Sequence, residues 1–125
     1  MTQITTNRMK INTYFDRSEF ACSCGCGFDT VDAELIKVLT GVREHFGAAV
    51  TINSSARCDN HNTHVGGGAK SQHKYGRAAD IVLSGVISGD VYAYLDQTYP
   101  DQFGMGKYSS FTHIDTRNTK ARWGS

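Results

Sequence analysis

His73 and Asp80 lie seven positions apart in Ser71-Gln72-His73-Lys74-Tyr75-Gly76-Arg77-Ala78-Ala79-Asp80, and the apolar run Ile81-Val82-Leu83 follows. Imidazole nitrogen and carboxylate oxygen both suit a zinc ion. A catalytic zinc takes three protein ligands and keeps a fourth position for water. The third candidate is His113, in Thr112-His113-Ile114-Asp115. Residue types and spacing together point to a small zinc hydrolase.

The elements around these residues must bring them together. Asp80 opens a strand over 78–83, and His113 sits inside another over 111–116. Laid side by side, the two strands put both side chains on one sheet face. His73 lies on the loop before Asp80 and folds back towards it, with Gly76 easing the turn. His113 and Asp115 are two apart, so in a strand they point the same way.

The remaining pattern supplies a scaffold. Asp29 or Thr30 caps a helix with Asp32 and Glu34 in its first turn. Leu35, Val38, Leu39, Val42 and Phe46 form its apolar stripe, and Gly47 stops it. Residues 49–53 are β-prone, followed by a turn at Ser54-Ser55. Residues 57–70 read as a long loop containing Gly66-Gly67-Gly68, without the Gly-Lys-Ser of a phosphate loop. Ser88 caps a short helix over 89–97, with Val91, Tyr94 and Leu95 inward and Pro100 beyond it. Residues 103–108 and 111–116 read as two strands joined at Ser109-Ser110. Residues 1–19 form an N-terminal arm with a small patch at Ile11, Tyr14 and Phe15. The prediction is one α+β domain over 1–125, with a small, mostly antiparallel sheet and two main helices against it.

Composition bounds the partners. The chain has 125 residues, 39% hydrophobic and 20% charged, with a formal charge of +1. That describes an ordinary globular domain and argues against a nucleic-acid binder. No apolar run approaches the roughly 18–20 residues that span a bilayer. The polar N-terminus lacks the apolar core of a secretory signal.

Cys22, Cys24 and Cys26 alternate, and Cys58 follows Arg57. Three readings stay open: a disulfide from Cys58 to the cluster, a second zinc site of four thiolates, or reduced cysteines packed as small hydrophobes. Structural zinc usually prefers two-to-four-residue gaps within a ligand pair, which this spacing fits poorly. No cysteine has a sequence neighbour that marks it as a nucleophile.

The pattern Ser71-x-His73-x-x-Gly76-x-Ala78-x-Asp80, with Phe111-x-His113-Ile114-Asp115, resembles a family of bacterial and phage cell-wall zinc peptidases. Its members are the zinc D-Ala-D-Ala carboxypeptidases and the L-alanyl-D-glutamate endopeptidases. The carboxypeptidase-type branch is the nearer, through Ser54-Ser55-Ala56-Arg57, the Cys22–Gly27 opening and Arg122-Trp123. The resemblance runs from Phe20 to Trp123 and implies a hedgehog/D-Ala-D-Ala peptidase-like fold. By this resemblance His73, Asp80 and His113 hold Zn2+, and Arg57 binds a substrate carboxylate or polarises its carbonyl. Ser71 and Tyr108 join Arg57 as substrate-binding candidates.

Many relatives carry an acidic residue three positions before the last histidine ligand; here that position is Ser110. Asp115 then becomes the candidate general base, or else a carboxylate that orients a ligating histidine. As base, its replacement by alanine spares zinc and abolishes turnover. His61 and His64 are further candidates for acid or oxyanion donor, or are plain loop histidines. The expected activity is hydrolysis of peptide bonds in peptidoglycan stem peptides by a monomer with no nucleic-acid or membrane partner. The missing signal suggests a phage-encoded lysin made in a host cytoplasm. The hedgehog signalling domain shares this scaffold, so a non-catalytic zinc-binding interaction module is the alternative.

Overall fold

A computed structural model describes residues 12–68 and 71–124. Most of the arm (1–11), including Ile11, and Ala69-Lys70 of the long loop lie outside the described residues. The fold is α+β. A short 3-10 turn, Arg17–Phe20, precedes helix α1, Ala33–Phe46. Strand β1, Val50–Ser54, leads to a short helix α2, Asp59–His64, and a second 3-10 turn, Gln72–Tyr75. Strand β2, Ala78–Leu83, helix α3, Ser88–Thr98, and strands β3, Gly104–Lys107, β4, Thr112–Asp115, and β5, Ala121–Gly124, complete the chain.

The five strands form one sheet in the order β1-β2-β4-β3-β5. Three pairings are antiparallel and β3–β5 is parallel. Alternation divides the residues cleanly. Ala79, Ile81, Leu83, Met105 and Ile114 turn to one face. There they join Leu35, Val38, Leu39 and Val42 of α1 and Val91 and Leu95 of α3 in the core. Phe15 and Phe20 enter the same core, their rings edge to face at 5.8 Å. The part of the arm that is described is therefore anchored by two aromatic side chains.

The opposite face carries the polar residues. Pairing aligns Ser54 with Asp80, Asp80 with His113, His113 with Gly106, and Gly106 with Trp123. One transverse row thus crosses all five strands. The connection between β1 and β2 crosses over this row.

Four local expectations need correction, the first being that α3 starts at Ser88 with Ile87 before it, so Ser88 is not its cap. Helix α1 begins at Ala33, so neither Asp29 nor Thr30 is its cap. The chain is held back there because the Asp32 amide donates to the Gly76 carbonyl at 2.8 Å, and the Asp32 carboxylate accepts from Thr116 Oγ1 at 2.8 Å. Within 57–70 the chain forms α2, whose first turn is capped by Cys58: its sulfur accepts from the His61 amide. The tail adds β5, held to α3 by Arg122. That guanidinium reaches Asp96 at 2.7 Å and the carbonyls of Tyr99, Gln102 and Phe103.

Candidate metal centre

Asp80 and His113 are direct cross-strand partners, so their side chains leave the sheet together. His113 Nδ1 lies 2.8 Å from Asp80 Oδ1. His73 comes from the 3-10 turn above the sheet, and its Nε2 lies 3.4 Å from the same oxygen. Ser71 starts that turn by accepting from the His73 amide, and Gly76 ends it with φ +67°. A side chain at Gly76 would collide with the Thr30 carbonyl. Ligand-type atoms of His73, Asp80 and His113 all fall within 4.8 Å of one another.

Partners on the far side of each ring fix which nitrogen is free. His73 Nδ1 is 2.8 Å from the Ser55 carbonyl, which only accepts. A proton therefore sits on Nδ1, and Nε2 is the nitrogen that faces Asp80. His113 Nε2 is 2.7 Å from Asp115 Oδ2, so Nε2–H donates and Nδ1 faces the shared centre. Both arrangements are those that ready imidazole for a metal. Two imidazoles and a carboxylate, all aimed inward, fit a zinc ion by donor type, since a metal would take the place of any proton on the inward nitrogens.

In the metal-free site the inward ring nitrogens face a carboxylate and act as donors to it. Burial opposes the charge on Asp80, but hydrogen bonds from His113 and His73 outweigh it and hold the carboxyl well below the usual range. Burial alone would lower His113; the carboxylates of Asp115 and Asp80 raise it. Asp115 is also held low, against its burial, by Arg117 and His113.

The position of Asp115 decides what it can touch. It is fully buried, with both oxygens engaged. Arg117 donates to Oδ1 from Nε and to Oδ2 from Nη2, each at 2.8 Å, and Oδ2 also takes the His113 proton. Asp115 stands behind His113 and is not on the cleft wall. Gly104 makes room for it: a methyl there would meet Asp115 Oδ1 at 2.5 Å.

The open side of the triplet faces a cleft of about 420 Å³. Arg57, Ser71 and Tyr108 line it, as do Phe111, Arg117 and Trp123. Arg57 is held over the site by Asn62 Oδ1 at 3.3 Å and Ser54 Oγ at 3.4 Å, with Asp80 Oδ2 at 3.8 Å. Asn62 is itself buried and donates to the Gly68 carbonyl at 2.9 Å. A side chain on Gly67 would strike Asn62, which explains one glycine of the triplet. His61 and His64 lie on α2 and do not line the cleft. Asp80 is the only acidic side chain on the wall among the described residues.

Three residues of this wall were not among the expected site residues, although Phe111 and Trp123 stood in the motifs that carry the resemblance. Trp123 Nε1 donates to Tyr108 Oη at 2.8 Å, and its ring lies 5.1 Å from that of His113. The Arg117 guanidinium covers the other part of the indole at 5.1 Å, while Phe111 stacks on Tyr108 at 4.5 Å. Gly106 lies beneath: a methyl there would meet the indole nitrogen at 2.5 Å. The only signal for Arg117 was its spacing, two residues beyond Asp115 and four beyond His113.

A small α+β domain here turns two imidazoles and a carboxylate towards an open cleft, a donor set that suits a divalent metal. A comparison with known families narrows this. The model of the Peptidase M15 family matches residues 13–115, most of the chain, and the protein belongs to that family of metallopeptidases. No curated protein matches the chain. No helix among the described residues is long and apolar enough to cross a membrane.

Proposed function

We propose that the chain is a zinc peptidase of the D-Ala-D-Ala carboxypeptidase type, acting on stem peptides of bacterial peptidoglycan. The observation that carries this reading is the one-sided triplet: three ligand-type side chains with their fourth side on a cleft. A zinc closed by a fourth protein ligand could not activate water and would favour the non-catalytic module instead. Asp115, the nearest further carboxylate, is separated from the triplet by the His113 ring.

In this reading His73 Nε2, Asp80 Oδ1 and His113 Nδ1 hold the zinc. When bound, the ion supplies Lewis acidity towards a peptide carbonyl and lowers the pKa of water to about 7. The other residues bind and orient. Arg57 presents a guanidinium that suits a terminal carboxylate in a fork. It is the cation that selects a free C-terminus, because Arg117 is already neutralised by Asp115. Tyr108 receives the Trp123 proton on its oxygen, which leaves its own O–H to donate to charge developing on the carbonyl oxygen. Ser71 shapes the cleft and caps the turn that carries His73. Asp115 acts through His113 as a positioning residue, because a base must reach the cleft and this carboxylate does not.

The test is mass spectrometry of purified peptidoglycan and a synthetic stem pentapeptide after incubation with the protein. Chelated and zinc-restored controls run alongside. Release of the terminal D-alanine, lost with chelator and regained with zinc, is the expected result. Internal cleavage would transfer the protein to the endopeptidase branch. No zinc-dependent product on any wall type would overturn the enzymatic reading.

A further inference from the structure

Outside the cleft, a second set of side chains converges. Cys22, Cys24, Cys26 and Cys58 are free thiols whose sulfurs all lie within 4.8 Å of one another. We propose that these four cysteines form a structural zinc site, separate from the His73–Asp80–His113 centre.

The spacing of the sulfurs is the main argument. Cys22–Cys24 is 3.4 Å, Cys24–Cys58 is 3.6 Å and Cys22–Cys58 is 3.9 Å. A disulfide draws one pair of sulfurs to about 2.05 Å and leaves any third outside the bond. Here three sulfurs are nearly equidistant. Four thiolates around zinc, each about 2.3 Å from the ion, sit about 3.8 Å apart at the corners of a tetrahedron. The observed separations bracket that edge.

The backbone removes the objection from sequence spacing. Alternating cysteines in an extended chain share a face but stand too far apart to meet one ion. This segment is not extended. The Gly25 amide donates to the Cys22 carbonyl, closing a turn, and the Cys22 amide donates to the Phe28 carbonyl at 2.7 Å. Gly25 and Gly27 take φ +81° and +90°, values that L side chains rarely adopt. These glycines fold a one-residue spacing into a knuckle, and Cys58 closes it from the loop after β1.

The ion would act at a distance from the chemistry. Cys58 follows Arg57 and caps α2, the helix that carries Asn62. Asn62 in turn holds the Arg57 guanidinium. A closed thiolate site therefore ties residues 22–26 to the loop that aims Arg57. It leaves no open position for water and has no direct part in hydrolysis.

The test is metal content and spectroscopy on the full chain. Wild-type protein purified with zinc should carry two ions per chain. Cys24→Ser and Cys26→Ser alter exposed thiols and are expected to fold while dropping the content to one. His73→Ala should also hold one ion, but a different one. Cobalt replacement separates the two cases: thiolate-to-cobalt charge-transfer bands should persist in His73→Ala and vanish in Cys26→Ser. Titration of the thiols should release one zinc from wild-type protein as all four react. One ion in wild type with no thiolate bands would overturn the site. So would the absence of titratable thiols in the unfolded, chelated chain, the mark of disulfides. Neither result bears on the histidine centre, which the His73→Ala arm reads independently.

Discussion

His73, Asp80 and His113 converge because two antiparallel strands stand in register, with one short turn folded over them. The four cysteines converge because two glycines adopt left-handed backbone in a loop. The first set offers three ligands and a cleft. The second offers four ligands and no vacancy. Strand register places a side chain through many shared hydrogen bonds, so a ligand can be deleted there without losing the scaffold. A glycine knuckle has little core of its own and relies on whatever its side chains bind. Open site on rigid strands, closed site on a loop: the division matches what a reaction needs and what a fold needs.

The most severe way to break this comparison is to empty the open site. His73→Ala removes one ligand, leaves the Ser55 carbonyl without its partner and takes one of the two histidines from Asp80. Zinc-dependent hydrolysis should fall by about a thousandfold or more, the several kcal/mol that a Lewis-acid metal supplies. Circular dichroism should be unchanged. Residual turnover near wild type, with the triplet's zinc absent, would remove the centre from the reaction.

Arg57 lies where the two regions meet. Arg57→Ala should lower kcat/KM by roughly 10–100-fold, from the 1.5–3 kcal/mol of a charged hydrogen bond. Lysine should recover only part, since it lacks the fork. Amidating the substrate's C-terminus should cost wild type a similar factor and the variant nothing further. A full additional loss in the variant would mean that Arg57 does not read the carboxylate.

How much of this was legible in the chain follows the same division. The alternation of Ala78–Leu83 and Phe111–Thr116 located both central strands, and strand phase put His113 and Asp115 on one face. The α1 stripe and its Gly47 stop were equally plain. Helix α2 was not, because Asp59–His64 is polar on every side and is held by its Cys58 cap and by tertiary contacts. Strand β5 escaped because four residues without alternation acquire their identity only from β3 beside them and from the Arg122 bonds. Gly104 and Gly106 weaken any strand signal. Their reason appears only in register, where one faces Asp115 and the other Trp123. The burial of Asp115 was hidden likewise: phase gives the face, but not that Arg117 would seal it off.

Asp115 sharpens the comparison further. Asp115→Asn keeps the shape but weakens the orientation of His113. Zinc affinity should drop about 10–100-fold, as for other carboxylates behind a ligating histidine. Turnover should return when zinc is raised to saturation. Activity that stays lost at saturating zinc would restore Asp115 as the base. Tyr108→Phe should have a smaller effect, a decrease in kcat of about tenfold at constant zinc content, for one lost donor of about 1.4 kcal/mol. A change in KM alone would make Tyr108 a packing residue.

The smallest effect is on stability, and its sign follows from the charges around His113. Asp80 and Asp115 have folded values depressed below the ordinary 3.8. Their contribution is complete above that value and is lost as pH falls through the folded ones. His113 is raised above its ordinary 6.5. Its contribution is complete below 6.5 and is lost as pH rises through the folded value. The chelated protein should therefore be most stable between about pH 4 and about pH 6.5, and weaken on both sides. Zinc competes with the proton for the same imidazole, so loading the triplet should erase the alkaline decline and leave the acid one. Urea midpoints of chelated and zinc-loaded protein, compared across this range in the Cys26→Ser background, isolate the histidine centre from the thiolate site. A chelated protein with no alkaline decline would show that the buried His113–Asp115 pair is not what holds this face of the sheet together.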